Sequence, residues 1–339
     1  MRMWLLFSLL FFVSCAQVTS LNLRKHEFGQ QPDRIVWFQI AGLEEEHLSM
    51  LRFAQVQNGV TSFENALCVG KTWDYSLSKM RNSASSEFMS QVVGKKNIKN
   101  SCEDMSLRAV WSYLAPSGYR TGILEIKADA KESLLSAVPC EKGPEFLKNL
   151  HMWMMSKAPA NASTFHYVEP ISLKEDVVSY DRTCQERGCS ASISNNYAAI
   201  YDSFQRNSPK NIFIVRDFSY LKALKEKNFV LAREILRDLE KTLAIAQANT
   251  KKRGDLILVS TAETMLVDFP DQGIDWYDFD KNGSKAMVKR QKLMNTVFAY
   301  GARSENFCGV YEGASLLERV LSGPKQQGLE FKFINPFKD

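Results

Sequence analysis

The sequence predicts an α/β fold, a mostly parallel sheet with helices on both faces. Two observations carry that expectation. Short continuous apolar runs recur, as strands covered on both faces require. Between them lie helical patterns closed by tight turns, the alternation of a parallel sheet. A chain of 339 residues is also long enough to bury a large core.

Arg34-Ile35-Val36-Trp37-Phe38-Gln39-Ile40 is the first such run, and Ala41-Gly42 supplies the turn at its end. Residues 103 to 115 place Met105, Leu107, Val110, Trp111 and Leu114 at helical spacing, which predicts a helix stopped by Pro116-Ser117-Gly118. The next strand is predicted over Tyr119 to Ile126, and another over Asn211 to Val215. From Tyr220 to Asn249 the pattern is helical, with Leu231, Ile235, Leu239 and Leu243 four apart. Arg233, Glu234, Arg237, Asp238, Glu240 and Lys241 then read as its solvated face. Lys252-Arg253-Gly254-Asp255 turns the chain into a strand from Leu256 to Ser260. Residues 140 to 210 carry mixed polar runs, Pro159 and Pro170, and are expected to pack over the sheet as an insertion or cap.

The amino terminus has its own pattern. One charge at Arg2, an apolar run from Leu5 to Val13, and then Ser14-Cys15 form a signal-peptide arrangement, too short to span a bilayer. Phe12-Val13-Ser14-Cys15 resembles the lipobox of bacterial lipoproteins, with Phe12 where leucine is usual. It implies lipidation of Cys15, a signal over 1–15 and a tether over 16–32; Ser14-x-Ala16 also suits ordinary cleavage. The expected location is the bacterial cell envelope, lipid-anchored and facing the periplasm or the surface.

The net charge of +5 is spread over a chain that is 24% charged, too diffuse for a nucleic-acid partner. Lys95, Lys96 and Lys99 are the densest basic patch and read as a solvated turn. The partners expected are the membrane, through the lipid, and an envelope protein or small-molecule ligand. Seven cysteines are present; setting Cys15 aside leaves an even number in an oxidising compartment. Cys184 and Cys189 are the pair placed to close a short loop, and the remaining connectivity stays open.

Four segments, in order, resemble the alkaline phosphatase superfamily. The most specific runs from Val297 to Glu312, with Ala299-Tyr300-Gly301-Ala302 and then Phe307-Cys308-Gly309, followed by a helix from Ala314 to Leu321. The others are Leu256 to Thr264, Ser106 to Ile123 with Gly118-Tyr119-Arg120-Thr121-Gly122, and Arg34 to Leu43. The resemblance covers residues 33 to 325, with 140 to 210 unmatched, inside a single domain of 33–339.

The resemblance implies a serine that attacks phosphorus while two zinc ions, about 4 Å apart, activate it and hold the phosphate oxygens. Asn82-Ser83-Ala84-Ser85 stands where the family has Asp-Ser-Ala, so Ser83 takes the nucleophile position. The metal-ligand positions are altered. Ala41 replaces the first-strand aspartate, Asn82 the aspartate before the nucleophile, and Glu263-Thr264 the Asp-His pair. Asp217 stands alone where a glutamate and an Asp-x-x-x-His segment are usual. Asn282-Gly283-Ser284 replaces a histidine-bearing turn. The chain has four histidines, none beyond His166, so the zinc expected in the family lacks its ligands. The implied reading is a non-catalytic protein with a binding or structural role, without cofactor, in which Ser83 only caps a helix. The alternative is a divergent phosphate- or sulfate-ester hydrolase using Ser83 with an unusual metal. Oxygen ligands for magnesium or calcium would then come from Asp217, Glu263 or the acidic stretch Asp268 to Asp280, which otherwise reads as a loop of buried aromatics and wet carboxylates.

Overall fold

A computed structural model of the chain describes residues 31–54, 60–75, 79–96, 98, 101–137, 150–156, 166–168, 178–181, 184 and 192–321. In chain order, β1 (Arg34–Ala41) leads to α1 (Ser49–Ala54) and β2 (Cys68–Trp73). Helix α2 (Ala84–Val93) follows, then α3 (Ser101–Leu107) and α4 (Val110–Leu114). After β3 (Arg120–Ile126) come α5 (Leu134–Ala137), β4 (Leu150–Met155), β5 (His166–Val168), β6 (Val178–Asp181) and α6 (Ile193–Asn207). Then come β7 (Asn211–Asp217), α7 (Ser219–Lys225), α8 (Phe229–Arg253), β8 (Leu256–Ala262) and β9 (Met265–Asp268). The chain continues through α9 (Gly273–Asn282), β10 (Met287–Gln291), β11 (Met294–Gly301), β12 (Gly309–Glu312) and α10 (Ser315–Leu321).

Ten strands form one sheet in the order β12-β2-β11-β8-β1-β7-β3-β4-β6-β5, and β9 pairs with β10 apart from it. Strand β1 lies in the middle, parallel to β7 on one side and β8 on the other. Strand β11 runs against both its neighbours, so the sheet is mostly parallel, as expected. Every described residue of β7 and β8 is buried, which explains why their sequences read as unbroken apolar runs rather than alternating ones. One face packs on α8 and α6 through residues such as Phe213, Tyr197, Leu236 and Phe298. The other face packs on α2, α4 and α10 through Trp37, Ile214, Trp111 and Leu316. Each large side chain so enclosed contributes about 2–3 kcal/mol.

Three expectations need correction. The single helix over 103–115 is two helices, because Ala109 takes extended backbone between them (φ −75°, ψ 159°). The helix from Tyr220 breaks at Lys227, whose φ of 56° is left-handed, and restarts under the Asn228 side-chain cap. The described parts of 140–210 lie over the sheet only in α6, which packs on Phe38 and Phe213 beside α8; the strands widen the sheet instead, with β4 parallel to β3 and β6 beyond it. Polar and proline-rich composition marked this stretch as peripheral, but an edge of a sheet is also peripheral.

The acidic stretch differs as well. Residues 273–282 form a helix rather than a loop, with Phe279 buried and Tyr277 exposed. The α8 charge run is only partly solvated. Arg233 is buried and bonded to Asp280, and Asp238 accepts from the Ile193 and Ser194 amides at the start of α6. Lys95 and Lys96 are ion-paired, with Asp104 and Glu312 respectively.

Cys68 and Cys308 form a disulfide that ties β2 to the start of β12, across 240 residues of sequence. In a chain-entropy view a closure that long stabilises by about 5 kcal/mol. Cys102 and Cys184 are also disulfide-bonded. Cys15, Cys189, Lys99, the signal and nearly all of the tether lie outside the described residues. Among the described residues no helix is long and apolar enough to cross a membrane.

Candidate functional site

Strands β1, β7 and β8 end at one rim of the sheet, the place where ligands of open α/β folds bind. Helix α2 begins there, and Ser83 is its N-cap, accepting from the Ser86 amide at 3.4 Å. The helix is held to the sheet by a buried polar chain. Trp37 Nε1 donates to Ser260 Oγ (2.8 Å), Ser260 Oγ donates to Gln91 Oε1 (2.7 Å), and Gln39 Nε2 donates to the same oxygen (3.1 Å). Gln91 in turn donates to the Thr261 carbonyl at 3.2 Å. Although Gln39 Oε1 has no partner, four buried hydrogen bonds fix the orientation of α2, so the position of Ser83 is set by α2 as a whole. Its own side chain is exposed.

Ala41, at the end of β1, is fully buried in a cluster with Ala84, Phe88, Phe218, Leu221 and Ala262. The turn after it needs Gly42. Its φ is +86°, and a Cβ there would lie 2.9 Å from the Leu221 Cα. The predicted turn is therefore present, and the residues it brings together are hydrocarbon.

Asp217 ends β7 and is also fully buried. Its Oδ1 accepts from the Ser219 amide (2.7 Å) and hydroxyl (2.6 Å) at the start of α7, while Oδ2 has no partner. Burial pushes its pKa up to about 6 against the lowering effect of those two hydrogen bonds. Beside it on β7, the buried Arg216 guanidinium pairs with Glu125 of β3. Glu125 also accepts from Ser133 Oγ at 2.7 Å and the Leu134 amide at 2.9 Å. Arg216 lies 5.5 Å from the Phe218 ring and 5.9 Å from that of Phe88, which puts the ion pair against the apolar cluster.

Glu263 and Thr264 follow β8. Glu263 adopts a left-handed backbone, φ 47°, a conformation costing a bulky residue about 1–2 kcal/mol. Three contacts hold it. Its amide donates to Glu87 Oε2 at 2.6 Å, its Oε2 accepts from the Ala84 amide at 2.9 Å, and its Oε1 pairs with Lys225 at 2.6 Å. A carboxylate of the chain itself thus sits on the first amide of α2, next to Ser83, where a helix N-terminus favours negative charge. Thr264 is buried and donates to Asn295 Oδ1 at 2.6 Å.

The sequence did not point to the groups on the other side of α2. Asn295 Nδ2 donates to Asp74 Oδ2 at 2.8 Å and to Glu87 Oε2 at 3.1 Å, and Thr72 Oγ1 adds a bond to Asp74 at 3.0 Å. Both carboxyls are buried. Burial raises the pKa of each; for Glu87, raised well above its usual range, Asp74 and Glu263 add repulsion. Asn82 donates its Nδ2 to the Asp74 carbonyl at 3.1 Å. Asp74 is so closely enclosed that a Cβ on Gly313 would lie 1.7 Å from its Oδ1. The structure therefore brings Ala41, Asn82, Ser83, Asp217, Glu263 and Thr264 to one rim, and adds Asp74, Glu87, Asn295 and Lys225. The readable signals were a glutamate and an arginine inside apolar strands, Glu125 and Arg216; residues as far apart as Asp74, Glu87 and Asn295 left none. His47, one of the four histidines, is buried with Nδ1 against the Tyr220 hydroxyl at 2.9 Å, and burial takes its pKa down to about 3. Among the described residues no group of three or more His, Cys, Asp or Glu is placed to hold a metal ion.

No family model and no curated protein matches the sequence. Solved structures do match. The alkaline phosphatase of the Antarctic bacterium TAB5 superposes with a TM-score of 0.64 at 13% identity, over 86% of this chain and 98% of that one. Thermus thermophilus alkaline phosphatase gives 0.64 at 10% identity, over 86% and 91%. A cold-active alkaline phosphatase from a Shewanella species gives 0.62 at 10%, over 84% and 98%. At these identities the likeness speaks for architecture alone, and it is consistent over nearly the whole length of each relative. The chain has the alkaline phosphatase-like α/β fold.

Proposed function

We propose that the chain is a non-catalytic, exported lipoprotein of the bacterial envelope that keeps this fold for a binding or structural role. The observation that carries the reading is the enclosure of Ala41. A metal ion at that rim would need oxygen or nitrogen donors, and the end of β1 offers a cluster of alanine, leucine and phenylalanine side chains instead. Asp217 is engaged with Ser219, and Glu263 with Ala84 and Lys225. This donor set does not fit paired zinc ions. A serine hydroxyl needs a metal or a base to become a nucleophile; Ser83 caps α2 by accepting from the Ser86 amide, and His47 is enclosed elsewhere, against Tyr220.

The second reading, a divergent phosphate- or sulfate-ester hydrolase, draws on the exposure of Ser83 beside Glu263. One experiment separates the two. Purified protein is assayed for bound metal and for p-nitrophenyl phosphate and p-nitrophenyl sulfate turnover, alongside Ser83→Ala. The expected result is no stoichiometric zinc and the same background rate in both proteins. Turnover that disappears in Ser83→Ala would establish the hydrolase. The lipid anchor is tested on its own, by fatty-acid labelling that Cys15→Ala should abolish. The partners proposed are the membrane, through that lipid, and an envelope protein or small ligand; no nucleic acid and no cofactor are invoked.

A further inference from the structure

A second concave region lies on the opposite face of the sheet from α2, between α1, α8 and the acidic helix α9. It is a cleft of about 330 Å³ walled by Phe53, Trp276, Tyr277 and Phe279, a volume within the range of small-molecule sites. Ring packing holds the inner wall. Trp276 stacks on Phe269 at 5.7 Å, meets Phe279 edge-on at 5.2 Å and tilts against Phe53 at 4.8 Å. A wall fixed in this way loses little freedom when it is covered. Phe53 and Tyr277 are nevertheless 71% and 69% exposed, so the mouth presents aromatic surface to water.

The polar groups of the cleft form a balanced set. Its charged lining residues, Arg233 and Asp280, pair with each other. Arg237, which does not line the cleft, lies 3.8 Å from the same Asp280 oxygen, and the first turn of α9 adds the carboxylate of Asp275. Arg233 is buried, and its Nε has no partner. The Asp280 side chain is half-exposed, which leaves it able to accept further hydrogen bonds. Helix α9 starts at Gly273, on the cleft wall, and Gln272 gives it no side-chain cap; its first amides are therefore donors. A Cβ on Gly273 would meet nothing within 4 Å, so the space beside it is open.

This combination excludes most occupants. An anion or a cation would give up its hydration to a wall whose charges already cancel. A wholly apolar molecule would cover Arg233, Asp280 and the α9 amides without bonding any of them. What fits is a neutral molecule with one face of C–H groups and an edge that both donates and accepts. We propose that the cleft binds a neutral pyranose sugar. Its C–H face lies on the Phe53 and Tyr277 rings, whose electron-rich faces attract C–H groups polarised by neighbouring oxygens. Its hydroxyls accept from Arg233 and the α9 amides and donate to Asp280. None of these residues belongs to the rim around Ser83, so the inference stands apart from the question of catalysis.

The test is ligand-observed NMR titration of the whole purified protein with three neutral sugars: methyl glucopyranoside, methyl galactopyranoside and N-acetylglucosamine. Methyl glucuronide, glucosamine and benzyl alcohol serve as anionic, cationic and apolar controls. At least one neutral sugar should saturate with a Kd on the order of 1–10 mM, about fivefold or more tighter than every control. Phe53→Ala and Tyr277→Ala, both at exposed positions, should each weaken that sugar about fivefold with unchanged thermal unfolding. Gly273→Leu fills the open space and should abolish binding. Asp280→Asn leaves Arg233 without its carboxylate and should reverse the preference, so that methyl glucuronide binds more tightly than the sugar. The proposal is overturned if no neutral sugar saturates by about 50 mM, or if any control binds the unaltered protein as tightly as the best sugar. It is equally overturned if any of these variants leaves binding as it was.

Discussion

Helix α2 has two sides at its N-terminal end, and they differ in how buried polar groups are treated. Towards β1 and β8, Ala84 and Phe88 meet Ala41, Phe218, Leu221 and Ala262, with Arg216 near the Phe88 and Phe218 rings and paired with Glu125. Towards β2 and β11, Glu87 and Asp74 both accept from Asn295, and all three are buried. A region without donors can be filled by hydrocarbon and gains packing from it. A region that keeps carboxylates must satisfy them from within, because each unpaired one costs several kcal/mol. The first side tolerates Arg216 only because Glu125 neutralises it. The second tolerates its carboxylates only while the Asn295 amide and the Thr72 hydroxyl are in place.

Placing a charge on the apolar side should break this contrast most sharply. Ala41→Asp introduces a carboxylate among Ala84, Phe88, Phe218 and Leu221, and an unfolding free energy lower by about 3–5 kcal/mol is expected in urea titrations at neutral pH. A loss below about 1 kcal/mol would mean that water or an ion reaches the cluster.

Asp217 lies between the two regimes, a buried carboxyl with one satisfied oxygen and one orphan. Its folded pKa, about 6, lies above the ordinary aspartate value of 3.8. A raised folded pKa gives stability that is fully present below pH 3.8 and is lost as pH rises through about 6. Asp217→Asn removes that slope, which amounts to about 3 kcal/mol at most. Stability measured from pH 3 to 8 should therefore converge for the two proteins at the acid end, and the variant should lose less above it.

Asn295→Leu sharpens the polar side. It deletes the amide that serves Asp74 and Glu87 together, and a loss of about 2 kcal/mol is expected. Both carboxyls have raised pKa values from burial, so their stabilising contribution is present at acid pH and lost as pH rises. The destabilisation by Asn295→Leu should therefore grow towards alkaline pH. A uniform loss across pH would place the effect of Asn295 in its bond with Thr264 instead.

The contrast also marks how far the sequence could be read. The central strands were legible because burial on both faces removes alternation, so Ile212-Phe213-Ile214-Val215 and Leu256-Ile257-Leu258-Val259 stand out as runs. The strands β4 to β6 near one edge were not: β5 and β6 are only three and four residues long, and the Met152–Met155 run of β4 stands beside polar stretches without a helical pattern after it. The breaks at Ala109 and Lys227 were hidden because helical spacing of Val110, Trp111 and Leu114 continues across a change of axis. At the rim, Ala41, Glu263 and Thr264 were found as positions, through the resemblance to alkaline phosphatases. Their surroundings were not: the side chains that enclose Ala41 include those of β8, α2 and α7, and the partners of Glu87 are Asn295 of β11 and the Glu263 amide after β8. Pairings between residues separated by 200 positions leave no local periodicity to detect.

The central claim is that the rim around Ala41 has no affinity for the metal pair that its architecture suggests. Thermal unfolding with added zinc, and after treatment with EDTA, tests it directly. A ligand that binds only the folded state stabilises it by about 4 kcal/mol at a thousandfold excess over its Kd. The account predicts superimposable unfolding curves in zinc, in EDTA and in plain buffer. A midpoint that rises with zinc and falls with EDTA, and does neither in Asp217→Asn or Glu263→Gln, would contradict it.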